Sequence, residues 1–456
     1  MAVHKIKQGL DLPILGEPEQ SVEAARQPGR VALVATDYHG MKPTMHVEVG
    51  DVVRRGQLLF EDKKTPGVRY TSPAGGKVVG IHRGAKRALQ SVVIELDDDE
   101  KAGKAKSVDF EAFSGKDPKD LSGDDVRALL LESGLWTALR ARPFDKVADP
   151  ATTPSSVFVT AADSSPLAPS PGVVMAGYEE DFQRGLVALS KLTEGSVFIC
   201  TDETLSLALP TGAQFKHEQF AGPHPSGTVG LHIHTLDPVN RSKTVWHVGY
   251  QDVLLIGKLF HTGELNVRRV VALAGPPVKK PRLLETRIGA SVHDLADGEH
   301  DAPEARLISG CVFSGRACSG DVSGYLSRYS QQVSILAEDH EREFLGWLGA
   351  GFKKFSVLRT YFSSLIPNQK YAFTTTTHGS ERAVVPVGMH EKVFPFDMLP
   401  SYILRAVAMG DVEHAEALGA LELAEEDVAL LSFVCASKND YGALLRDVLT
   451  TIEKEG

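Results

Sequence analysis

The sequence predicts a multidomain protein of α/β plus α+β class, with a small β-barrel, an α/β core, a compact mixed β insert and a helical carboxyl-terminal domain. Three observations carry this prediction. Short runs of alternating apolar residues fill positions 47–96, strand and helix patterns alternate between about 157 and 201, and helical patterns dominate beyond about 376. We place the domains at 1–100, 101–266, 267–375 and 376–456.

The barrel is predicted from the spacing of its apolar runs and turns. Glycines such as Gly50, Gly56 and Gly76 interrupt the runs at turn positions, where a residue without a Cβ reaches positive φ. Strands this short bury little surface singly. They must therefore fold over one another as a small two-sheet barrel.

The pattern V-x-x-G-D-x-V-x-x-G-Q-x-L, followed by S-P-A-G-G-x-V, resembles the biotinyl/lipoyl-carrier barrel. A carrier bears its modified lysine on the hairpin that joins the two halves, where this sequence has Lys63 and Lys64. Pro66 cannot donate to a strand ladder, so it disrupts the tight hairpin that a modifying ligase grips. We interpret the two lysines as a solvated hairpin tip and the barrel as a structural module; a prosthetic arm is the alternative.

Composition limits the class of protein. The 456 residues correspond to about three domains at ~150 residues each, and 42% of them are hydrophobic. No run approaches the ~18 consecutive apolar residues of a membrane helix, and the amino terminus has no hydrophobic signal core. The net charge of −10, with dispersed lysines and arginines, argues against nucleic acid as a partner.

The cysteines are scattered, which predicts a reduced, cytosolic protein. No C-x-x-C pair occurs among the four cysteines, which are Cys200, Cys311, Cys318 and Cys435. The sequence therefore predicts no local disulfide, zinc site or iron–sulfur site. Cys311 and Cys318 share a glycine- and serine-rich loop. A redox pair there is the alternative to two unrelated small residues.

The α/β core follows a charged linker at 97–107. A helical pattern runs over 121–140, with Gly134 weakening its middle. A strand at 157–160, a helix at about 179–192 and a strand at 196–201 are typical of a parallel, Rossmann-like domain. No G-x-G-x-x-G stands at a strand-to-helix turn, so the usual dinucleotide grip is not predicted.

Two further modules complete the chain. Residues 270–299 resemble a β-grasp module of the soluble-ligand-binding type, with two strands around Gly-Pro-Pro and a brief helix opening near Ser291. We interpret it as a spacer or docking domain, with ligand capture as the alternative. Farther on, Gly410 and Asp411 predict a helix stop and an N-cap. The last helix carries an apolar stripe at i, i+3, i+4 spacing: Tyr441, Leu444, Leu445, Val448, Leu449 and Ile452.

The segment AGPHPSGTVGLHIHTLDP is the densest histidine cluster. His232 and His234 alternate with apolar residues, so on a strand both imidazoles would point to one face. A metal would want a third ligand, and the candidates, His224 and Asp237, lie beside prolines in turns. We prefer hydrogen-bonded structural histidines, with a quinone-type contact through His232 and His234 as the functional alternative. No catalytic, cofactor-binding or metal-ligating residue is predicted.

Long segments of the chain, in order, resemble the A-subunit family of the bacterial Na+-translocating NADH:quinone oxidoreductase. They are GLDLPILGEPEQ (9–20), GDVVRRGQLLFEDKKTPG (50–67), LLESGLWTALRARPFDKV (130–147), AGPHPSG (221–227), HIHTLDPV (232–239), KTVWHVGYQDVLLIGKLFHTGEL (243–265), GSERAVVPVG (379–388) and LELAEEDVALLSFVCASKNDYGALLRDVLTTIEKEG (421–456). The collinear matches span nearly the whole chain.

The resemblance implies a peripheral subunit on the cytoplasmic face of the bacterial inner membrane. Its six-subunit respiratory pump couples NADH oxidation and ubiquinone reduction to Na+ export. The complex uses NADH, flavins, an iron–sulfur cluster and ubiquinone, and none of these cofactors is expected on this chain. Its own role is expected to be that of a scaffold, with quinone binding as an option, and the isolated chain is not catalytically complete. Its partners are the other subunits, especially the integral ones.

The family is related to the flavin- and NADH-binding subunit of respiratory complex I, but the cofactor residues do not carry over. The nearest glycine-rich stretch reads AGPHPSGTVGLHIH, and only Cys435 remains where that protein has its cluster cysteines. An iron–sulfur cluster needs about four thiolates. Ala436 and Ser437 stand where the family has Pro-Gly, so this turn departs from the family's pattern.

Two rival functions remain. A free-standing flavin- or NAD-dependent oxidoreductase would need a cofactor-binding motif, which the sequence lacks. An independent ligand-binding or carrier-like module outside any membrane complex is the second. The sequence has no polybasic patch and no lipidation motif, so we expect the chain to reach the membrane only through partner subunits.

Overall fold

The first two strands of the chain do not join the barrel that follows them. In the computed structural model, which describes residues 2–340 and 348–455, β1 (Ala2–Lys5) and β2 (Glu19–Ala24) each pair with a sheet built much later in the sequence. The amino-terminal segment therefore connects parts of the protein that the sequence keeps far apart.

The barrel consists of two sheets, as the sequence predicts. Its strands are β3 (Arg30–Val34), β4 (Pro43–Met45), β5 (Val52–Val53), β6 (Leu58–Asp62), β7 (Arg69–Thr71), β8 (Gly76–Arg83) and β9 (Leu89–Leu96). They form the sheets β3-β9-β8-β5 and β4-β6-β7, which enclose buried residues such as Val31, Leu59 and Ile94. Lys63 and Lys64 are exposed between β6 and β7.

The predicted linker at 97–107 is wrong in part, because it contains the short helix α1 (Asp98–Lys101). The Asp97 side chain caps this helix by accepting a hydrogen bond from the backbone N–H of Glu100. The Glu100 side chain is buried and lies 2.7 Å from Arg55, and it also pairs with Arg287. Through Glu100, the predicted linker thus connects the barrel residue Arg55 to Arg287 of a later sheet.

The α/β core has a sheet in the order β1-β14-β13-β12-β15-β10-β11. Its elements are α2 (Gly123–Ser133), β10 (Arg140–Arg142), β11 (Lys146–Val147), β12 (Val157–Ala161), α3 (Pro171–Met175), α4 (Glu179–Ser190), β13 (Val197–Thr201), β14 (Phe215–Ala221), α5 (Val229–Leu236), β15 (Val245–Gly249) and α6 (Tyr250–Thr262). The first five strands in that order are parallel, as predicted, and β10 and β11 are antiparallel.

Helix α2 ends earlier than the sequence predicts. Gly134 adopts φ +78° and caps the helix after Ser133, so it stops the helix and does not merely weaken its middle. A 3-10 turn over Leu135–Ala138 then leads into β10. The apolar residues after Gly134 are nevertheless buried, because the turn folds Leu135 and Leu139 back onto the core that α2 faces.

Helices α4 and α6 pack closely against each other through two glycines. A Cβ at Gly257 would lie 1.7 Å from the Asp181 carbonyl oxygen, and one at Gly185 would lie 2.2 Å from that of Val253. Side chains at either position would push the helices apart. The glycines therefore set the distance between the helices.

A mixed sheet in the order β19-β18-β20-β16-β17-β2 follows the α/β core. Its elements are β16 (Arg268–Ala274), β17 (Arg282–Arg287), α7 (Val292–Ala296), β18 (Ala305–Ser309), β19 (Arg316–Cys318), α8 (Gly320–Ser323) and β20 (Gln332–Ala337). The two strands around Gly-Pro-Pro and the helix that Ser291 caps are confirmed.

The carboxyl-terminal helices begin at Met389, later than predicted, and residues 377–388 contain no helix. They are α9 (Met389–Val393), α10 (Pro400–Met409), α11 (Val412–Ala417), α12 (Glu425–Val434) and α13 (Tyr441–Glu455). Gly410 ends α10 in the left-handed region and Asp411 caps α11, as predicted. The stripe on α13 faces the core of these helices. No helix in residues 2–340 and 348–455 is long and apolar enough to cross a membrane.

Candidate functional site

The predicted strand around His232 and His234 is wrong, because both residues lie on helix α5. Residues two apart on a helix point to different sides, whereas on a strand they share a face. The apolar run Val229–Leu236 is short, and such a run fits a buried helix as well as a strand. The two imidazoles therefore do not form one site.

His232 is completely buried under the α/β sheet. Its Nε2 lies 2.9 Å from the Ser226 carbonyl oxygen, and its ring centroid lies 4.2 Å from that of Phe220. Its Nδ1 has no hydrogen-bond partner among the described residues. Burial lowers the pKa of His232 to about 4, so the ring is neutral and donates from Nε2.

His234 connects α5 to the carboxyl-terminal helices. Its Nδ1 lies 2.8 Å from the Glu422 carboxylate, and its Nε2 accepts a hydrogen bond from the Asp397 backbone at 2.9 Å. Both ring nitrogens are occupied by contacts within the protein. A quinone contact through His232 and His234 stays a prediction.

The candidate third metal ligands do not meet these histidines either. The Nδ1 of His224 lies 3.1 Å from the Ser164 hydroxyl, and Asp237 accepts a hydrogen bond from Ser156 at 2.7 Å. Over residues 2–340 and 348–455, no group of three or more histidine, cysteine or acidic side chains is arranged to hold a metal ion.

The cysteines are buried, free thiols in separate places. Cys311 lies 3.3 Å from the Ser314 hydroxyl, while Cys318 packs in the core of the mixed sheet. Cys435 lies 3.3 Å from the Tyr441 hydroxyl between α12 and α13. Burial raises the pKa of Cys311 and of Cys318, which disfavours the reactive thiolate at both.

A cleft opens where the barrel, the α/β core and the mixed sheet meet. Its enclosed space is about 30 Å³, and its lining includes Tyr38, Tyr70, Thr137, Ile288 and Arg328. These residues come from all three parts of the chain. The cleft is the candidate functional site because two of its polar groups have no partner among the described residues.

Tyr70 on β7 is held in this cleft by two other aromatic rings. Its ring stacks on Phe60 with centroids 4.6 Å apart and meets the edge of Tyr38 at 4.7 Å. Its hydroxyl is buried and has no hydrogen-bond partner in the part of the chain that the structure describes. Burial raises the pKa of Tyr70 above its usual value, so the phenol keeps the proton that it can donate.

Arg328 supplies the second unpartnered group. Its Nη1 lies 2.6 Å from Asp252, which also binds Arg269 at 2.9 Å, and its backbone N–H donates to Asp37 at 2.8 Å. Burial raises the pKa of Asp252, but the two guanidinium groups outweigh it and hold the pKa below its usual value. The ion pair with Asp252 and the backbone hydrogen bond to Asp37 fix Arg328, while its Nη2 is buried without a partner within residues 2–340 and 348–455.

Buried polar atoms are nearly always hydrogen-bonded to protein or to ordered water. The Tyr70 hydroxyl and the Arg328 Nη2 are therefore two donors in one cleft that suit a ligand, or waters, with acceptor oxygens. Sequence reasoning missed both residues. Neither lies in a motif, and only the fold brings them to the same cleft.

Comparison with known proteins agrees with this architecture. Family models match residues 4–97 as the NqrA N-terminal barrel-sandwich hybrid domain, 121–265 as the NqrA second alpha/beta domain and 270–320 as the NQRA C-terminal domain. The chain belongs to the NqrA family.

Curated members of the NqrA family match the whole chain. The A subunit of the Na(+)-translocating NADH-quinone reductase of Hahella chejuensis is 53% identical over 452 residues, which cover 99% of this chain and 100% of that protein. The protein of the same name from Pseudomonas aeruginosa strain UCBPP-PA14 is 54% identical, with the same coverage. The similarity extends over the barrel, both later sheets and the carboxyl-terminal helices of this NqrA-family chain.

Among solved structures, an NAD+-reducing nickel–iron hydrogenase in the H2-reduced state aligns with 50% of this chain and 49% of its own. Its TM-score is 0.35 and its sequence identity is 11%. An alignment this loose carries no functional argument for the NqrA-family chain.

Proposed function

We propose that this chain works as the A subunit of a Na+-translocating NADH-quinone reductase, docked on integral partner subunits at the cytoplasmic face of the bacterial inner membrane. The full-length similarity to relatives of that name carries the proposal, since 99% of the chain aligns at 53% identity. The alternative of an independent carrier-like module is not favoured, because the relatives align over their whole length.

Within such a complex, a scaffold role is supported by three buried ion pairs between the parts of the chain. Arg287 of the mixed sheet pairs with Glu100 beside the barrel, and Arg328 pairs with Asp252 of α6 at 2.6 Å. In the third pair, Arg142 of β10 lies 2.9 Å from Asp427 of α12. Separating any pair would leave a buried charge without compensation, so the parts keep a fixed arrangement.

The flavins, the iron–sulfur cluster and the NADH site belong, in this proposal, to other subunits. A cluster takes about four thiolates close together. The thiols of this chain lie in different cores: Cys200 under the α/β sheet, Cys318 in the mixed sheet and Cys435 among the helices.

Quinone binding is a second candidate function, and the cleft favours it. A quinone has two carbonyl oxygens that accept hydrogen bonds, and the Tyr70 hydroxyl and Arg328 Nη2 are two donors without a partner among the described residues. The enclosed space of the cleft is only about 30 Å³, well below the ~300–1,000 Å³ of usual ligand sites, so a quinone ring would enter only if the walls of the cleft move apart. The sequence-derived contact through His232 and His234 is a competing proposal for the same ligand.

The finer fold assignments are also proposals. We infer a carrier-like barrel, a Rossmann-like α/β core, a β-grasp mixed sheet of the soluble-ligand-binding type and a helical carboxyl-terminal domain. The parallel order of the central strands supports the second of these. The antiparallel β16–β17 pair and the β16–β20 parallel pair support the third.

Assembly is tested by co-expressing an affinity-tagged chain with the other subunits of a Na+-translocating NADH-quinone reductase. The chain should co-purify in stoichiometric amount after detergent extraction, and membranes that lack it should lose Na+-dependent quinone reduction. A complex that purifies and works equally well without the chain would overturn the proposal.

A further inference from the structure

A loop between the mixed sheet and the carboxyl-terminal helices exposes an unusual number of large apolar side chains. We call residues 348–370 the basic apolar loop. Its exposed members are Leu348, Phe352, Leu358, Phe362, Leu365 and Ile366. Leu365 is 75% exposed and Phe352 is 60% exposed, although leucine and phenylalanine are among the residue types most often fully buried.

The loop has a definite inner face that fixes its position. The ring of Phe355 lies 5.5 Å from that of Phe373 and 6.4 Å from that of Phe433 on α12. Val357 packs against the core of the carboxyl-terminal helices. The apolar residues named above therefore point outward because other side chains already fill the inner face.

Hydrogen bonds within the loop hold the outward side chains together. The Phe362 backbone N–H donates to Ala350 at 3.0 Å, and the Gln369 side chain donates to the Phe352 carbonyl at 2.8 Å. These bonds bring the rings of Phe352 and Phe362 into a stacked pair 5.6 Å apart. The result is an exposed, stacked aromatic pair in a loop whose other large apolar side chains are also exposed.

The charge of this loop is opposite to that of the protein. It contains Lys353, Lys354, Arg359 and Lys370, and from Leu348 to Ser380 the sequence has no aspartate or glutamate. Lys370 pairs with Glu17 of the amino-terminal segment. The whole chain has a net charge of −10, so this stretch is a basic region on an acidic protein.

We propose that the basic apolar loop binds directly to the surface of an anionic lipid bilayer. Phe352 adjoins Lys353, and Leu358 adjoins Arg359, and all four side chains are exposed, so apolar and cationic groups alternate along the same exposed loop. The headgroup region of a bilayer accepts both kinds of group at once. The core of a protein–protein interface is instead depleted of lysine, which favours lipid over a protein partner.

This inference goes beyond the proposed function, because it needs no other subunit. It also revises the sequence-based expectation that lipid alone offers the chain little. That expectation rested on the lack of a lysine-rich run, whereas the fold gathers separated cations beside exposed apolar side chains.

Co-sedimentation of the purified full-length chain with vesicles tests the proposal. Vesicles of phosphatidylcholine with about a third of phosphatidylglycerol should bind the chain at roughly physiological salt, where an anionic surface still attracts nearby cations. Pure phosphatidylcholine vesicles should bind it several-fold more weakly. No binding to the anionic vesicles, or equal binding to both kinds, would overturn the proposal.

Variants locate the binding surface. Lys353→Glu with Arg359→Glu should weaken vesicle binding by at least about 20-fold, since each cation near an anionic surface is worth about fivefold. Phe352→Ser with Leu365→Ser should weaken it by at least about tenfold. The matched controls, Lys86→Glu with Lys104→Glu and Val49→Ser with Val52→Ser, change exposed residues near the barrel and should bind as the wild type does.

The same variants separate a lipid surface from a protein surface. If the loop binds lipid, they still co-purify with the integral subunits in detergent. If the wild type does not bind vesicles and the loop variants fail to co-purify with the integral subunits, the loop binds protein and the lipid proposal is overturned. Failure of wild-type co-purification would count against the proposed assembly alone.

Discussion

Arg142 and Asp427 form a buried ion pair between two parts of the chain that are 285 positions apart. The Arg142 Nη1 lies 2.9 Å from the Asp427 Oδ2, and the two side chains are 1% and 0% exposed. The same Nη1 donates to the Glu422 carbonyl at 3.0 Å. The α/β sheet and the carboxyl-terminal helices are thus joined by charges that have no access to water.

Removing the charge of Asp427 should destabilise the protein strongly. In Asp427→Asn, the Arg142 guanidinium loses its closest anion and keeps only Asp145, at 3.3 Å, which should lower the free energy of unfolding by about 2 kcal/mol, as for a lost hydrogen bond between charged groups. Urea denaturation measures this change. The control Glu413→Gln, on α11, should stay within about 0.5 kcal/mol of the wild type because the side chain it replaces is exposed. Equal stability of the two variants would contradict the importance of the pair.

Gly230 of α5 lies directly against the same carboxylate. A Cβ there would be 2.0 Å from the Asp427 Oδ1. Glycine to alanine inside a helix normally stabilises by about 1 kcal/mol, but Gly230→Ala should destabilise because it displaces Asp427. In Gly442→Ala, on α13, the nearest atom to the new Cβ is 3.4 Å away, so this control should keep or raise the melting temperature. A stabilised Gly230→Ala would contradict the packing.

If the cleft binds quinone, Tyr70→Phe should change the affinity for quinone without lowering the stability of the protein. Since its hydroxyl has no partner among the described residues, Tyr70→Phe should leave the free energy of unfolding unchanged or slightly higher. If quinone uses the cleft, affinity should fall about fivefold for the lost hydrogen bond. Calorimetric titration with a short-chain ubiquinone measures the affinity, with exposed Tyr402→Phe as the control. Unchanged affinity would remove Tyr70 from the site.

The competing contact at the histidines is tested by the same titration. If His232 and His234 bind quinone carbonyls, replacing both with alanine should weaken affinity by about fivefold for each lost hydrogen bond. If the folded double variant keeps its affinity, these rings serve only the structure. Because His234 bonds Glu422 and Asp397, its loss should in either case reduce thermal stability.

His232 should make the protein less stable in acid. Burial lowers its pKa to about 4 from an ordinary value near 6.5, so the unfolded chain binds a proton that the folded chain rejects as pH falls through this window. The stability contributed by the neutral ring is thus complete above about pH 6.5 and decreases toward pH 4. Between about pH 7 and pH 5 the wild type should lose about 2 kcal/mol through this residue.

The variant His232→Gln isolates that contribution, because the glutamine amide can replace the Nε2 donor and does not titrate. Urea denaturation at about pH 7 and pH 5 should show a smaller loss of stability for the variant, by about 2 kcal/mol. Identical pH dependence of the two proteins would show that His232 does not carry the effect.

Local patterns predicted those elements whose cause is local. The apolar runs of β12 and β13, the N-cap at Asp411 and the stripe on α13 all depend on neighbouring residues, and each was found where expected. The error at His232 and His234 came from a short apolar run that fits either period. The error at Glu100 came from its charge, because only the fold brings Arg55 and Arg287 to it.

The cleft could not be predicted from the sequence either, because only the fold brings its residues together. Tyr70 is a barrel-strand residue and Arg328 a loop residue, and nothing near either marks a site. Their importance comes from donors that the fold leaves unpaired among the described residues, which is a property of the complete packing. The whole-chain resemblance identified the family, but it did not locate this cleft.

The pairing of β1 with β14 and of β2 with β17 has a consequence for synthesis on the ribosome. Residues 2–24 emerge first, yet their partners at 215–221 and 282–287 leave the exit tunnel only much later. The barrel between can close meanwhile, because its strands are all contained in residues 30–96. The earliest part of the chain is therefore among the last to become ordered. In each nascent molecule, residues 2–24 stay without their strand partners through most of translation.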